Sequence, residues 1–294
     1  MHTIIGLGEL LWDIFPDGKV LGGAPANFAY HVHQLEQNGL PFSRIGADAL
    51  GDEIMSFLES VRLCTGFIQR DNDHPTGQVH VKVDASGHPE FDIKEDVAWD
   101  YMEPERRWLD AARGADAICF GTLCQRNRRS RNTIGKMLDV ASDSVLVFDV
   151  NLRGRYFSRE IIVDSLEQCT LLKLNIHEQT TIQQLLDLPC PERDMALAIM
   201  DQYDIELVCI TRGEEGCVVH TREDEVHSGV PQTEVVDTVG AGDAFCAGLT
   251  VKYLQDSPTE MVARGANLMG AYVAGQRGAM PEVPENLVAE FNSL

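Results

Sequence analysis

A chain of 294 residues, 44% hydrophobic and 24% charged, can bury a full core, either as one large α/β domain or as one domain with a small appendage. Its 46 acidic against 24 basic residues give a formal net charge of −22, which opposes the approach of a phosphate backbone and argues against nucleic acid as a partner. The same composition excludes the disordered and fibrous classes.

In chain order, Thr3 to Leu7 is a short apolar run of strand type. Leu10 to Val20 carries a strand-like run and then Pro16-Asp17-Gly18-Lys19, a turn signal, and so predicts a hairpin. Pro25 to Gln37 and Asp52 to Arg62 have helical periodicity. From Thr76 to Ile93, the alternating stretch Gly77-Gln78-Val79-His80-Val81-Lys82-Val83 runs into Asp84-Ala85-Ser86-Gly87 and a second strand pattern around Phe91, which predicts another hairpin. Beyond it, helical segments at Pro104 to Arg113, Arg128 to Val140 and Ser158 to Gln168 alternate with apolar strands at Ala115 to Phe120, Ser144 to Asp149, Leu171 to Leu174 and Glu206 to Thr211. Such alternation predicts an α/β fold, a mostly parallel sheet with helices on both faces. The two hairpins, at approximately residues 10–22 and 76–100, predict a small β-sheet projecting from it as a lid. With no internal repeat, low-complexity tract or linker, residues 1–294 read as one folding unit.

Eight cysteines contain no C-x-x-C pair, and several lie in apolar runs such as Ala117-Ile118-Cys119-Phe120, the pattern of reduced core thiols in a cytoplasmic protein. The N-terminal stretch lacks a basic region and is interrupted by Gly8, Glu9 and Asp13, so it does not read as a signal peptide. No stretch approaches the ~20 apolar residues needed to span a bilayer, and no membrane partner is expected.

The sharpest local signal is Asp237-Thr238-Val239-Gly240-Ala241-Gly242-Asp243-Ala244-Phe245, running into a helical pattern of small residues. Glycines at a loop-to-helix junction let backbone N–H groups approach a phosphate, and the helix N-terminus adds roughly half a positive charge. Asp243 then stands where a carboxylate can accept a hydroxyl proton. On residues alone, a helix cap with glycines for tight packing explains the string equally well. Other chemistries lose their motifs. Leu11 takes the third glycine position after Gly6 and Gly8, so the dinucleotide fingerprint is incomplete; G-x-x-x-x-G-K-[ST] is absent; and His177-Glu178 is followed by Thr181 rather than a second zinc-binding His. His31 and His33, two apart on a helix, point to different faces and do not suggest a metal site.

The string at 237 to 245 resembles the C-terminal signature of the ribokinase-like (PfkB) carbohydrate kinases, and Gly22-Gly23-Ala24-Pro25-Ala26-Asn27-Phe28-Ala29 resembles their N-terminal one. Phe148-Asp149-Val150-Asn151-Leu152-Arg153, Lys173-Leu174-Asn175-Ile176-His177-Glu178 and Thr211-Arg212-Gly213-Glu214-Glu215-Gly216 agree as well, so the resemblance covers nearly the whole chain. Val150 stands where the family often has Pro. The resemblance implies a three-layer αβα sandwich with a β-sheet lid, and transfer of the ATP γ-phosphoryl group to a sugar hydroxyl with Asp243 as base and Gly240, Ala241 and Gly242 as the anion hole. It implies sugar contacts from Asp13, Gly22, Gly23, Asn27 and Arg153, and ATP contacts from Asn175, Glu178, Thr211, Gly213 and Gly216. Glu178 would act on Mg²⁺ through water, and a monovalent cation, usually K⁺, would sit near Asp237 and Arg277-Gly278-Ala279. Dimerisation through the lid is a further implication.

A carboxylate in the first turn of a helix is expected to have a low pKa. For the acceptor, Gly8-Glu9-Leu10-Leu11-Trp12-Asp13-Ile14-Phe15-Pro16 looks most like the bacterial fructokinases, which points to D-fructose. Arg153 resembles a residue of 2-keto-3-deoxygluconate kinases and keeps that sugar acid as the alternative. A non-catalytic sugar sensor on the same fold is the reading from a different class, and the intact Gly240-Ala241-Gly242-Asp243 speaks against it.

Overall fold

The computed structural model describes residues 1–16, 18–83, 89–189 and 191–294. Among them, the larger sheet has nine strands in the order β13-β12-β11-β10-β9-β8-β1-β4-β5. These are β1 (Thr3–Leu7), β4 (Asn38–Gly46), β5 (Ile68–Asp71), β8 (Ala117–Gly121), β9 (Val145–Asp149), β10 (Leu171–Asn175), β11 (Leu207–Thr211), β12 (Cys217–His220) and β13 (Glu225–Ser228). From β11 to β5 every pairing is parallel, and the antiparallel β12 and β13 close one edge. The expected α/β architecture is borne out.

Strands buried on both faces must be apolar throughout, and successive residues then serve opposite cores. Ile4 and Val147 pack on one side with Phe28 and Phe245, while Ile5 and Phe148 pack on the other with Phe42, Trp108 and Phe120. The helices are α1 (Ala24–Gln34), α2 (Ala49–Ser60), α3 (Arg106–Arg113), α4 (Arg128–Val140), α5 (Arg159–Leu166), α6 (Ile176–Leu186), α7 (Glu192–Tyr203), α8 (Ala241–Leu254), α9 (Thr259–Ala274) and α10 (Glu285–Ser293). Several begin where the sequence supplies a cap: Asp48 accepts from Gly51 N, Asn127 from Arg129 N and Ser158 from Ile161 N.

The smaller sheet has the order β3-β2-β6-β7, made by β2 (Leu11–Phe15), β3 (Gly18–Gly22), β6 (Gly77–Val83) and β7 (Pro89–Ile93). The two expected hairpins are therefore present and join through a parallel β2–β6 pair. Asp17, from the first predicted turn, and Asp84-Ala85-Ser86-Gly87, from the second, lie outside the described residues, as does Cys190. The sheet does more than project. Leu11, Val79 and Ile93 belong to the main core with Trp99, while Trp12 and Leu21 pack with Tyr30, Ile54 and Leu58, and the Trp12 indole donates to Leu50 O at 3.0 Å. The strands end at Ile93, and Ala98–Tyr101 is a 3-10 turn whose Trp99 lies in that core.

Phe148 is fully buried at the centre of the larger sheet, with its ring 5.3 Å from that of Phe120. Truncation to Ala removes the transfer energy of the ring and leaves a cavity, so Phe148→Ala should lower unfolding free energy by about 3–5 kcal/mol in urea titration. A loss below about 1 kcal/mol would contradict this placement.

Candidate functional site

Parallel strands bring their carboxyl ends to one edge, and the segments that follow carry Arg153, Asn175, Glu178, Thr211, Gly213 and Gly216 of the predicted site. β9 ends in Asp149, which is followed by Asn151 and Arg153; β10 ends in Asn175; β11 ends in Thr211, the register partner of Asn175. Two further contributions come from helix N-termini, α1 with Asn27 and α8 with Asp243. Although 216 residues separate them, the Asn27 amide donates from Nδ2 to Asp243 Oδ2 at 2.8 Å. Asn27 Oδ1 is buried and has no hydrogen-bond partner among the described residues.

The expectation of a low pKa for Asp243 is overturned. Dehydration of its carboxyl, reinforced by the charge of Asp149, lifts the pKa from 3.8 to about 7. The Asn27 hydrogen bond and the charges of Lys173 and Arg153 pull the other way without matching that rise. Gly240, which caps α8, has φ 79°, and a Cβ there would lie 2.6 Å from Ala279 Cα, so only glycine fits.

Beneath this helix start lies a buried ion pair. Lys173 Nζ donates to Asp149 Oδ1 at 2.9 Å and Oδ2 at 3.0 Å, and a Cβ on Gly242 would stand 3.4 Å from the same ammonium. The carboxylate holds the Lys173 pKa above its usual value despite burial. A cleft bounded by Glu9, Gly121, Asp149, Asn151 and Asp243 opens beside them. Glu9 is itself buried, its pKa raised by dehydration, and its Oε2 has no partner among the described residues.

Asp13 lies on β2 against Gly22, where a Cβ would meet its Oδ2 at 2.2 Å, so the glycine makes room for the carboxylate. Partial burial raises the Asp13 pKa to about 6, opposed by the charge of Arg153. Gly23, at φ 116°, leads directly into α1. Arg153 is exposed and makes no ion pair among the described residues, yet its charge reaches Glu9, Asp13 and Asp243. Of the residues predicted on this side, Asp13 and Gly22 lie against each other, the charge of Arg153 bears on Asp13, and Asn27 meets Asp243.

On the other flank, Asn175 and Glu178 form a full capping box at the start of α6: Asn175 Oδ1 accepts from His177 N and Glu178 N, and Glu178 Oε2 accepts from Asn175 N. Glu178 Oε1 also accepts from Leu152 N at 2.9 Å, next to Arg153. The plain capping arrangement is therefore present, and both carboxylate oxygens are already engaged. Thr211 leads into the 3-10 turn Gly213–Glu215 and Gly216, beside Asn175. Asp237 accepts from Val239 N with Oδ1 and from Gly278 N with Oδ2, which ties the loop before α8 to the 277–279 segment.

Asp149, Lys173 and Glu9 had no role assigned from sequence. Their signal was readable: charged residues almost never lie fully buried unpaired, and Lys173 sits between Leu172 and Leu174 in an apolar strand.

The signature of pfkB family carbohydrate kinases matches residues 16–286. A fructokinase of Salmonella typhimurium is 28% identical over 296 residues, which cover 95% of this chain and 95% of that protein. The fold matches the crystal structure of a fructokinase with bound ATP from Xylella fastidiosa with a TM-score of 0.87 at 19% identity, over 99% of this chain and 98% of that one. It matches 2-dehydro-3-deoxygluconokinase from Thermotoga maritima with a TM-score of 0.86 at 19% identity, over 100% of each chain. At such identities these two structures bear on fold alone.

Removing one member of a buried ion pair strands the other. Lys173→Met, which leaves Asp149 uncompensated, should cost about 3–5 kcal/mol of unfolding free energy, and adding Asp149→Leu should recover most of it. Additive losses in the double variant would show that the pair is not coupled as described.

Proposed function

Because the chain belongs to the PfkB family of carbohydrate kinases and is a sugar kinase, we propose that it transfers the γ-phosphoryl group of ATP to a primary hydroxyl of D-fructose, with Asp243 as the general base. The observation that carries this reading is the Asp243 carboxyl, held by Asn27 at the start of α8 with a proton affinity near neutral. A base is most effective when its pKa lies near the working pH.

In this reading the acceptor sugar lies between the β2–β3 hairpin and α1. Asp13 accepts from its hydroxyls, the free Asn27 Oδ1 does the same, and the backbone at Gly22 and Gly23 comes close because neither carries a side chain. As the primary hydroxyl oxygen attacks phosphorus and the bond to the ADP oxygen breaks, the hydroxyl proton passes to Asp243. Backbone N–H groups at Gly240, Ala241 and Gly242, at the positive end of α8, receive the charge on the transferring group, and the Lys173 ammonium beneath Gly242 adds to it. Asn175, Thr211, Gly213 and Gly216 line the nucleotide side.

Mg²⁺, when bound with ATP, neutralises phosphate charge. Glu178 fits a water-mediated contact to it, since each of its oxygens already accepts a backbone N–H. Asp237 and the 277–279 segment, drawn together by the Gly278 N–H, fit a monovalent cation such as K⁺ held by backbone carbonyls. The smaller sheet covers the acceptor side and excludes water from the transfer.

The Salmonella fructokinase supports D-fructose as acceptor, and the Asp13 carboxylate favours a neutral polyol. A second reading, 2-keto-3-deoxygluconate, draws on Arg153, a guanidinium without an ion pair among the described residues that is able to hold the acid's carboxylate. Two outcomes are expected. Asp243→Asn should lower kcat by at least ~100-fold while sugar binding is retained, and a loss of under about tenfold would remove the base role. In kcat/KM under saturating Mg-ATP, D-fructose should exceed 2-keto-3-deoxygluconate, ribose and adenosine. A tenfold preference for the sugar acid, about 1.4 kcal/mol of transition-state discrimination, would overturn fructose and leave the kinase mechanism standing.

A further inference from the structure

His31 takes no part in the chemistry above, yet it is fully buried on α1, one helical turn beyond Asn27. Its Nε2 lies 2.8 Å from the carbonyl oxygen of Ala279, a residue 248 positions away in sequence. A carbonyl only accepts, so this contact fixes the proton on Nε2 and leaves Nδ1 as a bare acceptor, in keeping with the absence of a partner for Nδ1 among the described residues. Burial also drives the His31 pKa down to about 4, so the ring is neutral throughout the physiological range.

The far end of this link is the anion hole. Ala279 packs on Gly240 so closely that a Cβ on the glycine would lie 2.6 Å from Ala279 Cα and 2.7 Å from Ala279 O. From the other side Asp237 holds the same segment through Gly278 N. The segment is thereby clamped between α1 and the loop before α8, and it forms the wall against which Gly240 adopts its left-handed conformation. One face of α1 thus carries Asn27 to the base and His31 to the wall behind the anion hole.

We propose that His31 is a positioning residue for phosphoryl transfer, which by fixing the Ala279 carbonyl sets the backbone of Gly240 and so the direction of the anion-hole N–H groups. This rests on the reading of Gly240 to Gly242 as the phosphoryl cradle. Misdirected donors cost transition-state stabilisation more than ground-state binding. The effect of losing the link should therefore fall on kcat.

The test compares His31→Leu, which removes the N–H, with His31→Gln, whose side-chain amide offers a donor at a similar reach. Both are assayed with D-fructose and Mg-ATP, alongside thermal unfolding. His31→Leu should lower kcat by about tenfold or more with both KM values within about threefold, and His31→Gln should restore kcat to within about threefold of the parent. If His31→Leu does not fold, His31→Phe, which keeps the ring volume without the donor, gives the same comparison. Retention of kcat in a folded donor-free variant, or equal impairment of His31→Gln, overturns the inference. A parent enzyme that phosphorylates no sugar overturns the cradle reading beneath it.

Discussion

Dehydrating a carboxylate without neutralising it is the constraint around which this site is arranged. Asp243 gives up water at the start of α8 and takes in return one hydrogen bond from Asn27 and the more distant charges of Lys173 and Arg153. Asp149, held nearby by its own pairing with Lys173, repels it. The compensation is incomplete, and the carboxyl is left with a proton affinity near neutral. Four elements distant in sequence, α1, β9, β10 and α8, must meet for that balance to exist.

The balance acts against stability. The folded-state pKa of Asp243 exceeds its unfolded value of 3.8, so the folded chain binds this proton more tightly. The stability gained from that binding is complete below about pH 4 and is lost as pH rises through about 7. A fully compensated carboxylate would avoid the loss but would be a weaker base. The Asp149–Lys173 pair is a similar compromise, a charged centre in an otherwise apolar sheet, placed where its ammonium reaches Gly242.

Much of the fold was legible because its strands are buried on both faces. β1 and α4 coincide with the segments read from sequence, and β9 differs by one residue, since apolar runs and Arg128's helical register leave few alternatives. β4 was not read from sequence: Asn38, Gly39, Pro41 and Gly46 weaken its strand pattern, and pairing with β1 on one side and β5 on the other makes the segment a strand. The antiparallel β12 and β13 were likewise unread, each being only four residues long, with β13 an edge strand of mixed polarity. At the site, Asp13, Asn27 and Asp243 stood out as motif residues, and the structure brings Asn27 and Asp243 into contact. The direction of the Asp243 shift was misjudged, because a helix terminus is visible in sequence whereas the depth of a carboxyl and its neighbour Asp149 are not. His31 escaped for the same reason, its partner lying 248 residues away.

The pH dependence of kcat/KM for sugar phosphorylation, measured on the parent enzyme at saturating Mg-ATP, reports the proton affinity of the base in the enzyme before the sugar binds. Only ionised Asp243 can take the hydroxyl proton, so the rate should climb from acid pH, bend near pH 7 and then level. A profile already flat between pH 5 and 8, as an ordinary carboxylate near 4 would give, would contradict it.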